Sequence, residues 1–282
     1  MQDYTGKVVA ITGAAHGIGA ELARRFGAAG ADLALADVDG ATLATVAGDL
    51  ADAGVEVSCV ALDVRDAVAM DGFAASTFEA YGGVDLFFNN AGVISAGTVW
   101  EAPISDFRWT VDVNLFGLLN GIRAFVPRMI AQNTECHIVD TASIAGLLVV
   151  ENSPAYVASK FGALSLTEVL DLQLQQIGSK VVAHAVCPAV VQTDLDQCNS
   201  YRRPDEYDPS DPYYASEDYQ KRWAVVKGSL PYGLPVAEAV EIIIAGVEAD
   251  QFMILTHPVY NPAIGGRVAS LLTGAHPALV QR

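Results

Sequence analysis

The sequence predicts an α/β fold: a single Rossmann-type doubly wound domain over residues 1–282, with a seven-stranded parallel sheet and helices on both faces. Two observations support this prediction. Short apolar runs alternate with Ala-rich stretches of helical length, which is typical of parallel strands joined by right-handed crossovers. The runs are apolar at nearly every position, which is typical of strands covered on both faces.

The individual elements follow from this alternation. Seven runs are predicted as strands: 8–12, 32–36, 55–62, 84–88, 137–141, 181–186 and 252–256. The helices are predicted over 18–29, 41–52, 67–81, 105–131, 155–177 and 236–248. The segment 194–235 is rich in Tyr and Pro and is predicted as an irregular loop, of a length that is usually functional or disordered.

Composition and charge exclude several classes of protein. The chain has 282 residues, 52% hydrophobic and 17% charged, which suffices for one sizeable core. Its net charge of −17 would repel phosphate backbones, so nucleic acid is not an expected partner. We find no membrane-length apolar run and no signal peptide, and we expect a cytoplasmic protein. Cys59, Cys136, Cys187 and Cys198 lack metal-ligand spacing, so free thiols and no metal site are expected.

A glycine-rich segment separates the first strand from the first helix. Gly13 permits a tight turn, Gly17 lets the backbone approach a pyrophosphate, and Gly19 allows the helix to pack closely on the sheet. Free N–H groups at the start of the helix, around Ile18, would face the anion. The alternative is a glycine-rich turn without a ligand.

The end of the second strand indicates which dinucleotide is bound. Asp37 can accept hydrogen bonds from both ribose hydroxyls of NAD, and its charge would repel the 2′-phosphate of NADP. Neither Val38 nor His16 supplies a permanent cation for that phosphate, so the sequence favours NAD. We interpret His16 as an exposed loop residue, although a charged imidazole could contribute to phosphate binding. The alternative for Asp37 is an ordinary turn residue.

Other strand ends meet at the same edge of a doubly wound sheet. Asp63 and Val64 follow the third strand and are placed to contact adenine, the alternative being a simple turn. Asn90, Ala91 and Gly92 follow the fourth strand, where small residues allow backbone to pass close to a flat ligand.

Tyr156 and Lys160 are candidates for the chemistry. Residues four apart lie on one face of a helix, and an ammonium group beside a phenol favours the ionised phenol. The predicted result is a Tyr pKa lowered toward working pH and a general acid/base for a hydroxyl or carbonyl substrate. Ser143, after the fifth strand, could hydrogen-bond the reacting oxygen, or be a simple strand-end hydroxyl. The Tyr-x-x-x-Lys pattern also occurs by chance in many helices.

Taken together, these patterns closely resemble the short-chain dehydrogenase/reductase family, in its NAD(P)-dependent branch of about 250–280 residues. The matching residues stand in the family's order and spacing over roughly 5–193: the glycines at 13, 17 and 19, Asn89–Gly92, Asn114, Ser143, Tyr156 and Lys160. The resemblance implies that Asn114 holds a water linking Lys160 to a proton relay. A polar residue on a solvated helix face is the alternative for Asn114, but its apolar neighbours suggest burial.

The resemblance also implies contacts from the loop after the sixth strand. Val191 and Thr193 would hold the nicotinamide amide, with Pro188 beside them. Ala189 replaces the family's usual Gly, so it needs a negative φ or some strain. The full predicted cofactor set is Gly13, His16, Gly17, Ile18, Gly19, Asp37, Val38, Asp63, Val64, Asn90, Ala91, Gly92, Tyr156, Lys160, Pro188, Val191 and Thr193.

The predicted function is hydride transfer between NAD(H) and a secondary alcohol or ketone that is bulky, hydrophobic or aromatic. The alternative is a catalytically silent dinucleotide-binding sensor or scaffold. Predicted pocket walls are Ile94, Trp100, Leu147, Leu148, Val149 and the aromatic residues of 194–235. Those aromatic residues could instead pack the segment itself or an oligomer interface.

The segment 194–235 is predicted to be a lid over the substrate, with its Tyr and Trp side chains facing inward. Together with 252–258 it distantly resembles the aryl-ether Cα-dehydrogenases of the family. Pairing of the two long helices in related proteins implies a homo-oligomer, a tetramer or a dimer. The remaining expected partner is the small-molecule alcohol or ketone, with no membrane partner.

Overall fold

Seven strands form one all-parallel sheet in a computed structural model that describes residues 4–277. The order across the sheet is β3-β2-β1-β4-β5-β6-β7, as in a doubly wound fold. The strands are β1 (Val8–Thr12), β2 (Asp32–Asp37), β3 (Val57–Ala61), β4 (Leu86–Asn89), β5 (Cys136–Thr141), β6 (Val181–Cys187) and β7 (Met253–Leu255). The predicted seven-stranded parallel sheet is confirmed, and every pairing along it is parallel.

Ten α-helices connect and flank these strands within residues 4–277. They are α1 (Gly17–Ala28), α2 (Gly40–Asp52), α3 (Ala67–Tyr81), α4 (Ile104–Val111), α5 (Leu118–Gln132), α6 (Pro154–Gln176), α7 (Pro212–Ala215), α8 (Glu217–Ser229), α9 (Val236–Glu248) and α10 (Asn261–Thr273). Shorter 3₁₀ turns cover Ile144–Gly146, Leu195–Tyr201, Leu230–Tyr232 and Pro258–Tyr260. No helix in this part of the chain is both long enough and apolar enough to cross a membrane.

Adjacent phenylalanines on β4 show how both faces of the sheet are covered. Successive side chains of a strand point to opposite faces. The ring of Phe87 therefore stacks on Phe125 of α5, with centroids 3.8 Å apart, while Phe88 contacts Phe26 of α1 at 5.3 Å. One apolar cluster joins the sheet to α3, α5 and α6, and the other joins it to α1, α2 and α9. The strands lie between these two cores.

The long helix predicted over 105–131 is interrupted. A π-helical turn at Asp112–Gly117 separates α4 from α5. Within it, the side-chain amide of Asn114 accepts from the Val93 backbone N–H and donates to the Val93 carbonyl oxygen, both at 2.8 Å. We attribute the π-helical turn to this contact. The turn directs the Asn114 side chain toward Val93, whereas a regular α-helix would rotate it away from Val93.

The segment 194–235 is mostly helical, so the predicted irregular loop is wrong. Ser216 caps α8 by accepting from the Tyr219 backbone N–H, and Glu217 and Asp218 lie in the first turn, where the helix dipole favours acids. The prolines of the segment lie outside α8, which is why they do not break it. Helix α10 was not predicted, since Gly265 and Gly266 weaken the helical signal.

A buried ion pair fixes this segment to α4. Arg202 donates from Nη1 to Asp106 Oδ1 at 2.7 Å, and the two side chains are only 1% and 3% exposed. The Tyr214 hydroxyl donates to the same oxygen at 2.7 Å. The Arg202 guanidinium lies between two aromatic rings, 4.5 Å from Trp109 and 4.8 Å from Tyr207. We call Arg202 and Asp106 the lid ion pair.

Breaking the lid ion pair should be costly. We expect Arg202→Met to lower the free energy of unfolding by about 3–5 kcal/mol, because it leaves Asp106 as a buried charge without its cation. The double variant Arg202→Met/Asp106→Asn should lose much less than the sum of the two single variants. Urea unfolding would measure both. Lys221→Met, which removes an exposed ion pair on α8, is the control and should change stability by less than about 1 kcal/mol. Equal stability of the Arg202 and Lys221 variants would contradict this prediction.

Candidate functional site

A cavity of about 740 Å³ lies at the carboxyl ends of the strands. Its wall includes residues that directly follow β1, β2, β4, β5 and β6, as expected where the strand order reverses between β1 and β4. Nearly all of the predicted site residues line it. These are Gly13, His16, Gly17, Ile18, Asp37, Val38, Asp63, Val64, Asn90, Ala91, Gly92, Ser143, Tyr156, Lys160, Pro188, Val191 and Thr193. Gly19 and Asn114 are not part of the wall.

The glycine segment forms a tight turn into α1. Gly13 and Gly17 adopt positive φ values of 67° and 48°, which favour glycine. A Cβ on Gly19 would collide with the Gly13 carbonyl oxygen, so this glycine allows the helix to approach the strand end. No side chain caps the start of α1. Its first N–H groups are thus without a side-chain acceptor at the cavity, an arrangement that suits an anion.

Asp37 is held in a fixed orientation at the end of β2. One of its carboxylate oxygens accepts from the Ala15 N–H and the other from the Asp39 N–H, both at 2.9 Å. Burial raises the pKa of Asp37, while the two hydrogen bonds oppose that rise. The carboxylate is therefore presented to the cavity by the backbone of two different loops.

Asp63 is paired with two cations, which the sequence did not indicate. Its oxygens accept from Arg65 at 2.7 Å and from Arg203 at 3.1 Å. Burial opposes ionisation, but these hydrogen bonds hold the pKa of Asp63 at about 2. Arg65 also lines the cavity, and its other nitrogen donates to Glu206 at 2.8 Å. The charge of Arg65 is thus shared between two carboxylates.

Asn90 ties the end of β4 to the glycine segment. Its side-chain amide nitrogen, Nδ2, donates to the carbonyl oxygens of Thr12 and Gly13, at 3.2 and 3.3 Å. Two residues further on, a Cβ on Gly92 would lie 3.4 Å from both Lys160 Nζ and Asn114 Oδ1. The small residues predicted here therefore do leave room for close approach.

Ser143, Tyr156 and Lys160 converge on the cavity from β5 and the first turns of α6. Lys160 Nζ donates to the Thr141 carbonyl oxygen at 2.7 Å and lies 5.7 Å from the centroid of the Tyr156 ring. Ser143 Oγ donates to the Pro188 carbonyl oxygen at 3.3 Å. Asn114 is 1% exposed, as predicted, and donates to Ser159 Oγ at 3.0 Å.

The pKa shifts at these residues are dominated by burial. Burial raises the pKa of Tyr156, and a hydrogen bond with Ser143 opposes the rise. The predicted lowering by Lys160 is therefore not seen, because the ammonium group is directed at a backbone carbonyl. Burial lowers the pKa of Lys160 itself to about 8.

Asp140, on β5, is a buried acid that the sequence did not single out. It accepts hydrogen bonds from Thr167 at 2.9 Å and Asn89 at 3.0 Å. Burial raises its pKa to about 7, against the effects of these bonds and of the Lys160 charge. A mid-strand Asp among apolar residues is the signal that could have revealed it.

The loop after β6 closes onto the glycine segment. A Cβ on Gly17 would lie 2.9 Å from Thr193 Cγ2, so the two segments are in contact. Among residues 4–277, Asn133 and Asp250 are the non-glycine residues with positive φ, so Ala189 is unstrained. His16 is half-buried and bonded to Asp39 and Asp194. Its prediction as an exposed loop residue is therefore wrong.

The predicted substrate walls are only partly correct. Ile94 and Leu148 line the cavity, whereas Trp100, Leu147 and Val149 do not, and Trp100 is 80% exposed. From the segment 194–235, the cavity is lined by Leu195, Cys198, Tyr201, Val225, Val226, Ser229 and Leu230. Apart from the exposed Tyr232, the other aromatic residues pack on one another; the ring centroid of Tyr214, for example, lies 5.3 Å from that of Tyr213 and 5.2 Å from that of Tyr219. They form the core of the segment, and aliphatic side chains face the cavity instead.

Comparison with known proteins identifies the family of this chain. The family model for short chain dehydrogenases matches residues 7–203. A CLA biosynthesis dehydrogenase/reductase from Lactiplantibacillus plantarum is 36% identical, covering 98% of this chain and 97% of the relative. A C alpha-dehydrogenase from Sphingobium sp. (strain NBRC 103272 / SYK-6) is 30% identical, covering 98% and 89%.

The solved structures give the same result. A short-chain dehydrogenase/reductase from Burkholderia phymatum, in complex with NAD, has a TM-score of 0.95 and 33% identity, and the match covers 100% of both chains. The resemblance drawn from the sequence is thus confirmed. This chain belongs to the short-chain dehydrogenase/reductase family of oxidoreductases.

Proposed function

We propose that this oxidoreductase transfers a hydride between NAD(H) and a bulky, apolar or aromatic secondary alcohol or its ketone. The observation that carries the proposal is the convergence of Ser143, Tyr156 and Lys160 on a cavity that also contains the glycine segment and Asp37. One end of this cavity suits a dinucleotide, and the other end has mostly apolar walls. The Burkholderia phymatum relative, in complex with NAD, supports the choice of cofactor.

The residues present fit NAD. The first turn of α1 offers N–H groups to a pyrophosphate, and the space beside Gly92, which a Cβ would narrow, adjoins Lys160. Asp37 would accept from the adenosine ribose hydroxyls. Val191 and Thr193 would hold the nicotinamide amide. When bound, NAD supplies the carbon that accepts or donates the hydride.

In this proposal Tyr156 moves the proton. Its phenol takes the proton of the alcohol during oxidation and returns it during reduction. Because burial raises the pKa of Tyr156, the phenolate needs positive charge, which we assign to the nicotinamide of bound NAD⁺ together with Lys160, whose Nζ lies 5.7 Å from the centroid of the Tyr156 ring. Ser143 donates to the reacting oxygen and orients it. Asn114, next to Lys160 across Gly92, would hold the water through which the proton reaches solvent.

The walls of the cavity suggest the substrate class. Ile94, Trp109, Leu148, Val226 and Leu230 offer an apolar surface, which suits a large hydrophobic substrate. The names of the two full-length relatives, one for CLA biosynthesis and one for a C alpha position, are consistent with a secondary alcohol.

The acid/base assignment can be tested at Tyr156. We expect Tyr156→Phe to reduce turnover of 1-(2-naphthyl)ethanol by roughly 10²–10⁴-fold, because the proton-transfer group is lost. Binding of NADH, followed by its fluorescence, should persist. Tyr232→Phe, at a 90% exposed position, is the control and should be as active as the wild type. Retention of more than a few per cent of activity by Tyr156→Phe would refute the assignment.

Cofactor preference should depend on Asp37. We expect kcat/KM for NAD to exceed that for NADP by on the order of 100-fold, because the buried carboxylate repels a 2′-phosphate. Asp37→Ala should reduce this ratio, whereas Asp49→Ala on the exposed surface of α2 should not. Equal efficiency of the wild type with both cofactors would show that Asp37 does not face the ribose.

Substrate size should be set by α8. We expect Val226→Phe to lower kcat/KM for 1-(2-naphthyl)ethanol relative to 2-butanol by about 10-fold or more, since it fills part of the cavity. NADH affinity should be unchanged. Val149→Phe lies outside the cavity wall and should leave the ratio as in the wild type. If only Val149→Phe changes the ratio, the segment 194–235 is not the lid we propose.

We also propose a homo-oligomer, a dimer or tetramer. Exposed apolar side chains on α6, at Val169, Leu172 and Ile177, together with Phe116 in the π-helical turn, support this. Light scattering at micromolar concentration should give a multiple of the monomer mass. We expect Leu172→Glu to reduce the mass and Val68→Glu, at a more exposed position on α3, to leave it unchanged. A monomeric wild type would contradict the proposal.

A further inference from the structure

His16 joins three segments that are far apart in the sequence. Its Nδ1 lies 2.7 Å from Asp194 Oδ2, in the segment after β6. Its Nε2 lies 3.0 Å from Asp39 Oδ2, in the turn after β2, and 2.9 Å from the Tyr201 hydroxyl. Neither the fold nor the proton transfer described above requires these contacts. We call His16 and Asp194 the clasp.

The clasp lies at the dinucleotide end of the cavity. His16, Asp194 and Tyr201 all line the cavity, and the neighbouring residues Gly17 and Thr193 are also in contact. His16 directly precedes the first turn of α1, where a pyrophosphate would bind. Residues 193–201 are therefore joined to the phosphate-binding turn itself.

The surroundings of His16 favour its charged form. The titratable groups that face it are Asp37 and Asp39 from the end of β2, and Asp194 and Tyr201 from the segment after β6. Burial lowers the pKa of His16, but the carboxylates outweigh burial, and its pKa is raised. In the imidazolium both ring nitrogens carry a proton, so each can donate to a carboxylate. In the neutral ring only one nitrogen can donate.

We propose that His16 is a positioning residue that holds the segment after β6 over the bound dinucleotide through Asp194, and so slows release of the dinucleotide. This inference rests on the proposed function, since it takes the dinucleotide to be NAD(H). The two carboxylates have different roles in this proposal. Asp39 holds the imidazolium on the side of the sheet, and Asp194 is the partner that separates from it when the dinucleotide is released. The exposed fractions agree, since the side chain of Asp39 is 17% exposed and that of Asp194 44%.

A pH dependence follows from the raised pKa of His16. At low pH the imidazolium bonds to both carboxylates, and release should be slow. As the pH rises through the pKa of His16, the imidazolium loses its positive charge and with it the charge attraction for Asp194, and release should become faster. The hydrogen bond with Thr42 lowers the pKa of Asp39 to about 2, and burial raises the pKa of Tyr201 above its ordinary value, so titration of these two groups should not reverse the trend.

The experiment measures NADH dissociation by stopped-flow fluorescence, with excess NAD⁺ as the displacing ligand, on the full-length protein. We expect Asp194→Asn to speed dissociation about fivefold, within the range for coupled residues in contact. His16→Asn should have a similar effect, and the double variant should be no faster than either single variant. Asp196→Asn, two residues further along and bonded to its neighbour Gln197, is the matched control and should match the wild type.

The pH profile supplies a second readout. From pH 6 to 9 the dissociation rate of the wild type should rise, and this rise should be smaller in the Asp194→Asn and His16→Asn variants. Lys160 also titrates near this pH range, but its contribution to the pH dependence of the dissociation rate would persist in both variants. Hydrogen exchange without dinucleotide adds a third readout, in which Asp194→Asn should weaken protection of residues 195–201. Tyr201→Phe removes one hydroxyl and provides a milder variant if His16→Asn folds poorly.

The outcomes separate this inference from the proposed function. If the wild type does not bind NADH at all, the proposed function fails. If NADH binds but Asp194→Asn and His16→Asn release it at the wild-type rate, or if the two effects simply add, the clasp is wrong and the proposed function stands. A wild-type rate that does not change with pH would likewise overturn the clasp.

Discussion

Close backbone contact at the carboxyl ends of β1 and β4 is the constraint on which the rest of the site depends. A Cβ on Gly13 would lie 2.8 Å from the Ala91 Cα, and Gly19 leaves no room for a side chain against the Gly13 carbonyl. Asn90 fills the remaining gap by donating to the carbonyl oxygens of Thr12 and Gly13. Since the two glycines add no side chain to this junction, α1 can start directly beside the cavity. The anion-binding end and the proton-transfer end are then parts of one space.

Buried polar groups lie beside the proton-transfer end of that space. Lys160 and Asp140 both carry pKa values shifted toward neutrality by burial, to about 8 and about 7. Each is retained by specific bonds, Lys160 to the Thr141 carbonyl and Asp140 to Thr167 and Asn89. Buried groups of this kind cost stability when unpaired, and their shifted pKa values are typical of functional sites. The site therefore holds partly hydrogen-bonded charges in a low dielectric, which strengthens interactions with any charge that develops inside it.

The sequence predicted the features that neighbouring residues determine. It missed those that depend on contacts between residues far apart in the chain. Strands and the glycine segment are encoded by neighbouring residues, so their positions agree with the structure to within a few residues. The π-helical turn depends on the contact between Asn114 and Val93, which are 21 residues apart, and no local sequence pattern predicts it. His16 was predicted to be exposed for the same reason, because its partner Asp194 follows β6, far along the chain. The aromatic residues of 194–235 were predicted to face the substrate, with packing inside the segment as the alternative, and the alternative holds for Tyr214, Tyr219 and Trp223. The sequence does not specify which side of a packed segment adjoins the cavity.

The two attachments of this segment differ in a way that defines what can move. The lid ion pair of Arg202 and Asp106 is 1% and 3% exposed, and separating it would leave two buried charges, a cost of several kcal/mol. The contact of His16 with Asp194 is 26% and 44% exposed, so water can replace it at far lower cost. Opening that begins by separating Arg202 from α4 is therefore strongly disfavoured. Access to the dinucleotide end is easier through the stretch before Arg202, which begins at the loop after β6 and ends at the buried anchor.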